Sequence, residues 1–172
     1  MRKRSGALLG AALAMAGAGC ATTLTTVNKP SGSSSVAHVG DSLDLVTASG
    51  KHLSVTLTQV VDPAHGASHV TVPHGRRFVA VLLRIANSSQ QDLQGDAAAN
   101  STLVDSSGRD YVPASVSLSE CHGAPSGHFR VSAGHSVNTC EPFEVHTGAT
   151  VTKYQFYPTA GGASDFGEWL VP

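Results

Sequence analysis

The stretch HLSVTLTQVV (52–61) sets Leu53, Val55 and Leu57 against Ser54, Thr56 and Thr58. A period of two places the two sets on opposite faces, so the segment reads as a β-strand with one wet face. No segment sustains the 3.6-residue period of an amphipathic helix. Short apolar runs punctuated by Gly, Pro, Asn, Asp and Ser recur instead. Leu43 and Leu45 alternate with Asp44 and Val46. RFVAVLLRIAN (77–87) is continuously apolar and reads as a central strand covered on both faces. STLVDSSGRDYV (101–112) holds two short strands around the turn Ser106-Ser107-Gly108. HFRV (128–131), HSVNTCEPFEVH (135–146), TVTKYQFYP (150–158) and GEWLV (167–171) complete the set, with Pro142 marking a bulge or an edge.

Seven to nine short strands joined by turns predict an all-β chain, an immunoglobulin-like two-sheet antiparallel β-sandwich, with a closed barrel as the second architecture. Trp169 lies beyond both Cys121 and Cys140. The antibody arrangement, with a Trp between two sheet-pinning cysteines, is therefore not expected.

The first residues are of another kind. MRKRSGALLGAALAMAGAGC carries a basic start, Arg2 to Arg4, then an apolar run over 7–18. About a dozen residues cannot span a bilayer core, which needs roughly 20, and they match the apolar region of an export signal. Gly17-Ala18-Gly19-Cys20 resembles the lipobox of bacterial lipoproteins, in which the cysteine is diacylated and becomes the mature N-terminus. That pattern prefers an aliphatic residue where Gly17 stands. Ala16-Gly17-Ala18 is the competing site, for ordinary signal peptidase, and leads to a secreted protein. A free thiol exposed to an oxidising compartment is a liability, which favours lipidation of Cys20. The organisation expected is a lipoprotein signal peptide at 1–19, a disordered Ser/Thr-rich linker at 20–37 and the β-sandwich at 38–172. The protein is placed on the outer face of the cell membrane, tethered through Cys20.

Cys121 and Cys140 then remain as a pair. Both lie in an exported β-rich segment, and the loop between them is rich in Gly, Ser and His, so a disulfide is expected to staple it. Neither has the C-x-x-C spacing of a redox motif.

The stretch Pro73-His74-Gly75-Arg76-Arg77-Phe78-Val79-Ala80-Val81 with Asn87, the stretch Leu103 to Gly108 with Tyr111, and Gly134 with Cys140 to Gly148 resemble a family of exported bacterial immunoglobulin-like domains of unknown function, frequent in actinobacterial lipoproteins. A secreted mycobacterial immunogenic protein is a structural relative of that family. Pro73, Gly75, Arg77, Phe78, Val79 and Ala80, running on to Asn87, match one of its strands. Asp105, Gly108 and Tyr111 match its hairpin. Gly134, Cys140, Phe143, Glu144, Val145 and Gly148 match a third stretch, with His146 where the family usually has Pro, and Trp169 fits the end. The resemblance covers about residues 40 to 171 and implies an extracytoplasmic β-sandwich. It implies no catalytic residues.

Function is less constrained. Charged residues make up 13% of the chain. Loss of Arg2, Lys3 and Arg4 with the leader leaves 8 basic against 12 acidic residues, a net charge of about −4 with His neutral. No basic stripe is present, so nucleic acid is not an expected partner. None of G-x-S-x-G, H-E-x-x-H or S-x-x-K occurs, and no enzyme is expected. Nine histidines stand out. His65, His69 and His74 crowd one loop, and His122, His128 and His135 another. The first three are the candidate Zn or Cu ligands, although Gly66 disfavours the helix that the His65–His69 spacing would need. The expected role is a non-catalytic binding or accessory module, without cofactor, for a protein or cell-wall polymer. Its first surfaces to test are the loops 62–76 and 122–135. A metal-binding envelope lipoprotein is the alternative reading, and a hydrolase the third.

Overall fold

The computed structural model describes residues 26–28, 36–122, 127–159 and 165–172. The expected signal peptide, Cys20 and most of the expected linker lie outside these residues.

Twelve strands are described: β1 (Thr26–Asn28), β2 (Ala37–His38), β3 (Ser42–Val46), β4 (His52–Ala64), β5 (Arg76–Asn87), β6 (Leu93–Asp96), β7 (Ser101–Asp105), β8 (Asp110–Tyr111), β9 (His128–Val131), β10 (Ser136–His146), β11 (Val151–Phe156) and β12 (Asp165–Leu170). Two single 3-10 turns, Ala98–Asn100 and Ser119–Cys121, are the only helical elements among the described residues. One sheet runs β10-β5-β4-β3, all antiparallel. The other runs β1-β12-β11-β7-β8, with β2 also beside β12. Strands β6 and β9 form a separate two-stranded ribbon. The fold is thus the β-sandwich that the alternation predicts. Thr26–Asn28, within the segment expected as a linker, pairs in parallel with Asp165 to Gly167 of β12.

Strand β4 shows how the pattern works and where it breaks. Leu53, Val55 and Leu57 are at most 1% exposed and face the other sheet. The register with β5 then slips between Leu57 and Gln59. Thr58 is the extra residue, and its hydroxyl donates to the Leu82 carbonyl at 2.9 Å. One inserted residue reverses the face of every side chain after it. Val60 therefore joins the central core, whereas Val61 faces outward.

The outward face of this sheet is covered as well. Phe78, Ala80 and Cys140 form a second, smaller core with Ala64 and Leu118. Residues 113–122 lie over it, bridging Gly66 to Leu118 and joined by the Cys121–Cys140 disulfide at a Cα separation of 5.4 Å. Strand β5 is buried on both faces from Phe78 to Val81, as its apolar run predicts. Further along, Arg84 is exposed and Ala86 only partly covered, so the second half has one wet face.

The central core holds Leu43, Leu45, Val81, Leu83, Ile85 and Phe143 from one sheet. Leu103, Tyr154, Phe156 and Trp169 answer from the other. The Trp169 indole donates to the Asp41 carbonyl at 3.0 Å, and its ring lies over Gly167. A Cβ on Gly167 would sit 2.6 Å from that ring, so only glycine admits it.

The residues that carry the family resemblance serve as clamps. Arg77 holds Asp62 through two hydrogen bonds, at 2.6 and 2.8 Å, and donates to the carbonyls of His146, Thr147 and Ala149 in the β10–β11 turn. Asn87 is 2% exposed and joins Gln91, Val131 and Ser89. Asp105 accepts from the Ser107 amide and hydroxyl, the Arg109 amide and the Tyr111 hydroxyl, which closes the expected hairpin turn.

Candidate functional site

On β10, odd-numbered positions point into the sandwich. Val137, Phe143 and Val145 pack in or against the central core there. The same parity sends Thr139 and Glu141 inward, where they are 1% and 0% exposed. A carboxyl group between two apolar sheets is costly unless it is neutral or paired. Burial pushes the Glu141 carboxyl up to about 8; the hydrogen bond from Ser101 opposes the rise, and Asp96 adds to it.

Its surroundings come from the opposite sheet. The Ser101 hydroxyl, at the start of β7, donates to Glu141 Oε2 at 3.3 Å. Tyr154 of β11 lies completely buried, stacked obliquely on Trp169 at 5.9 Å and edge-on to Phe143 at 6.4 Å. Burial and the nearby Glu141 raise its hydroxyl well above the ordinary phenol range, and Ser101 acts against the rise. Four buried side-chain oxygens among the described residues have no hydrogen-bond partner: Asn100 Oδ1, Thr139 Oγ1, Glu141 Oε1 and Tyr154 Oη. Buried polar atoms are nearly always paired, so each of these calls for an explanation.

Asn100 precedes Ser101 in the chain. It ends the 3-10 turn Ala98–Asn100, whose start is capped by Asp96 Oδ1 accepting from the Ala99 amide at 3.1 Å. Asn100 is 6% exposed. It lines a groove of about 430 Å³ together with Asp96, Lys51, Thr47, Ser49 and Thr159. The Ala48 amide donates to Thr159 Oγ1 at 2.9 Å across it. A second depression, of about 670 Å³, is formed by Gln94, Gly95, His128, Phe129 and Arg130 of the β6–β9 ribbon. The Phe129 ring lies against Gly95, where a Cβ would approach it to 2.7 Å.

The histidines chosen from sequence are arranged differently. His65 is exposed, and its Nδ1 lies 2.8 Å from Glu120 Oε1. Burial alone would raise Glu120, but hydrogen bonds from the His65 ring and amide outweigh it and hold the carboxyl below its ordinary value. His69 and His74 are exposed, and His69 takes a left-handed backbone, φ 73°. Among the described residues no three His, Cys, Asp or Glu groups are close enough to hold a metal ion. The loop bearing these histidines is instead fastened over the outer core by the 113–122 segment: the Ser119 amide donates to the His65 carbonyl, and the Ala67 amide to that of Ser117. His128, from the second cluster, faces Asp96 at 3.4 Å.

Sequence reasoning passed over Glu141, which stands between the matched Cys140 and Phe143. Its parity with Phe143 and Val145 was the available signal, since a charged residue in phase with core positions is anomalous.

No protein-family model matches the chain, and no curated protein matches it. Solved structures do resemble it. The secreted protein MPT63 of Mycobacterium tuberculosis aligns with a TM-score of 0.58 at 14% identity, over 82% of this chain and 100% of that one. The yjhA protein of Bacillus subtilis aligns at 0.53 and 12% identity, over 71% and 81%. The ycdA protein of Bacillus subtilis, named as a candidate lipoprotein, aligns at 0.53 and 14%, over 69% of this chain and 36% of that one. At these identities the likeness is one of fold.

Proposed function

We propose that the chain is an exported β-sandwich, held on the outer face of the cell membrane by a diacylated Cys20, which binds a ligand without transforming it. The observation that carries the binding reading is the groove of about 430 Å³ walled by Thr47, Ser49, Lys51, Asp96 and Thr159, with Asn100 and its unpartnered oxygen at the floor. Hydroxyl, amide and charged groups meet there, the kind of polar groups that orient a bound ligand. Ser101, the serine nearest the interior carboxyl, is 5% exposed with its hydroxyl turned to Glu141, an arrangement that does not present a nucleophile. Export is supported by the basic start and short apolar run before Cys20, and by the Cys121–Cys140 disulfide, a bond that persists in oxidising compartments. A secreted protein and a candidate lipoprotein share the fold.

The anchor is tested by mass spectrometry of the mature N-terminus of the full chain expressed in a bacterium. Diacylated Cys20 is expected, and Cys20→Ser is expected to release the protein to the medium. An unmodified N-terminus at Gly19 would remove the anchor. The binding face is tested by a photo-crosslinking residue at Thr159, in the groove, against one at Arg84, on the wet face of β5. Envelope adducts are expected from the first position, and equal labelling from both would refute the groove.

A further inference from the structure

We propose that the end of the sandwich bearing the groove faces the membrane, and that the surface it meets is the lipid headgroup layer of the outer leaflet. This orientation rests on the anchoring of Cys20 proposed above and adds a direction to it.

Strand register sorts the loops into two ends. Strand β1 runs parallel to β12, so Thr26 stands beside Asp165, the first residue of β12. Phe156 closes β11 opposite Gly167, and it pairs with Ser101, the first residue of β7. Asn100, Pro158 and Thr159, which line the groove, adjoin those strand ends in sequence. Strand β3 brings the other sheet to the same place. Asp41 meets Trp169, Leu43 lies against Gly167, and beyond the end of β3 the Ala48 amide reaches Thr159 Oγ1 at 2.9 Å. The chain therefore enters the sandwich at the groove end. At the far end, Val151 opens β11 opposite Asp105, the last residue of β7. The loop 65–75, which bears His65, His69 and His74, joins β4 to β5 at that end, where Arg77 donates to the carbonyls of Thr147 and Ala149.

Length decides which end can touch the bilayer. Residues 21–25 are all that separates Cys20 from Thr26. The six Cα–Cα steps between them span at most about 22 Å. The two ends of the sandwich are held apart by strands such as β10, whose 11 residues extend roughly 35 Å. A domain resting on its far end would hold Thr26 about that far from the lipid, beyond the reach of the tether. With the groove end down, Thr26 lies within reach. The groove then opens toward the headgroups, and the histidine loop points away from them.

The test uses the full chain, acylated in a bacterial host and reconstituted into phosphatidylcholine–phosphatidylglycerol vesicles whose headgroups carry an energy-transfer acceptor. With Cys20 acylated and Cys121 bonded to Cys140, an introduced cysteine is the single free thiol for a donor dye. Ser49→Cys places it in the groove, and Gly148→Cys in the far turn, where an added Cβ meets nothing within 4 Å. Transfer from Ser49→Cys is expected to exceed that from Gly148→Cys about twofold or more. Insertion of about twenty Gly and Ser residues between Thr22 and Thr23 should equalise the two, because the tether then reaches past the length of the sandwich. Equal transfer at native length, greater transfer from Gly148→Cys, or a bias unchanged by the insertion would overturn the proposal. Failure to float with the vesicles would overturn the anchor and the orientation together, whereas flotation with equal transfer overturns the orientation alone.

Discussion

Replacing Glu141 with Gln removes the titrating group and keeps its shape, so it isolates what the buried carboxyl costs. In the folded protein the carboxyl is pushed up to about 8, and its ordinary value is 4.5. Between those values the native state holds a proton that the unfolded chain has released. Stability is therefore fullest below the unfolded value, declines as pH rises toward the folded one, and levels off above it. The slope approaches about 1.4 kcal/mol per pH unit, and the accumulated loss at pH 7 is about 3 kcal/mol. Gln escapes that loss. Glu141→Gln is expected to unfold about 3 kcal/mol later than the wild type at pH 7, roughly 10 °C in melting temperature for a domain of this size. Near pH 4.5 the two proteins should coincide. The assay is urea unfolding at pH 5, 6, 7 and 8 in the presence of chelator. It is followed by the fluorescence of Trp169, the single tryptophan, which is 0% exposed and must change environment on unfolding. Stability curves that run parallel from pH 5 to 8 would refute the reasoning, because Glu141 would then be charged, or solvated, in both states.

Gly167→Ala should destabilise by about 1–3 kcal/mol, because the added Cβ falls 2.6 Å from the Trp169 ring; a melting temperature no lower than wild type would contradict the close packing. Cys140→Ala paired with Cys121→Ala should cost roughly 3 kcal/mol and loosen the 113–122 segment, read as earlier proteolytic nicking there. Asp105→Asn should weaken the hairpin and flatten the acid limb of the stability curve. Its carboxylate is held well below the ordinary value by the Ser107 hydroxyl, against burial, with help from Arg109 and Tyr111. That stabilisation is present above the ordinary carboxylate pKa and is lost as pH falls, so wild type and variant should converge toward pH 2 in acid titration by circular dichroism.

The strands were legible because side-chain period survives burial. Leu53, Val55 and Leu57 read correctly as one face, and the run 77–87 read as central. The slip at Thr58 was not legible: a bulge is a relation between two strands, and nothing in QVV announces which neighbour it must match. Strand β6 escaped notice because Leu93 is its single buried apolar residue, too little for a periodic signal. The Cys121–Cys140 pairing was read from count and compartment, and it is present. The histidine loops were chosen on residue type alone. Residue type does not say that His65 faces Glu120, or that its loop is bound down over a second core.

Polar residues in this fold fall into two kinds, and the difference separates scaffold from site. Arg77, Asn87 and Asp105 sit at positions that carry the family resemblance, and each has its hydrogen-bonding capacity taken up by named partners within the fold. Such residues fix turns and strand ends, and a polar group so satisfied adds to stability. Glu141, Thr139, Tyr154 and Asn100 are just as buried but retain unused oxygens. An apolar residue at 141 would pack between Phe143 and its neighbours without that cost, so the acid is not explained by folding. Local rules that are kept throughout a core and broken at one place point to a requirement other than folding at that place. Asn100, which carries one of the unused oxygens, also lines the polar groove. Glu141 is the most deeply buried carboxyl group among the described residues, at 0% exposure, and it stands at that break.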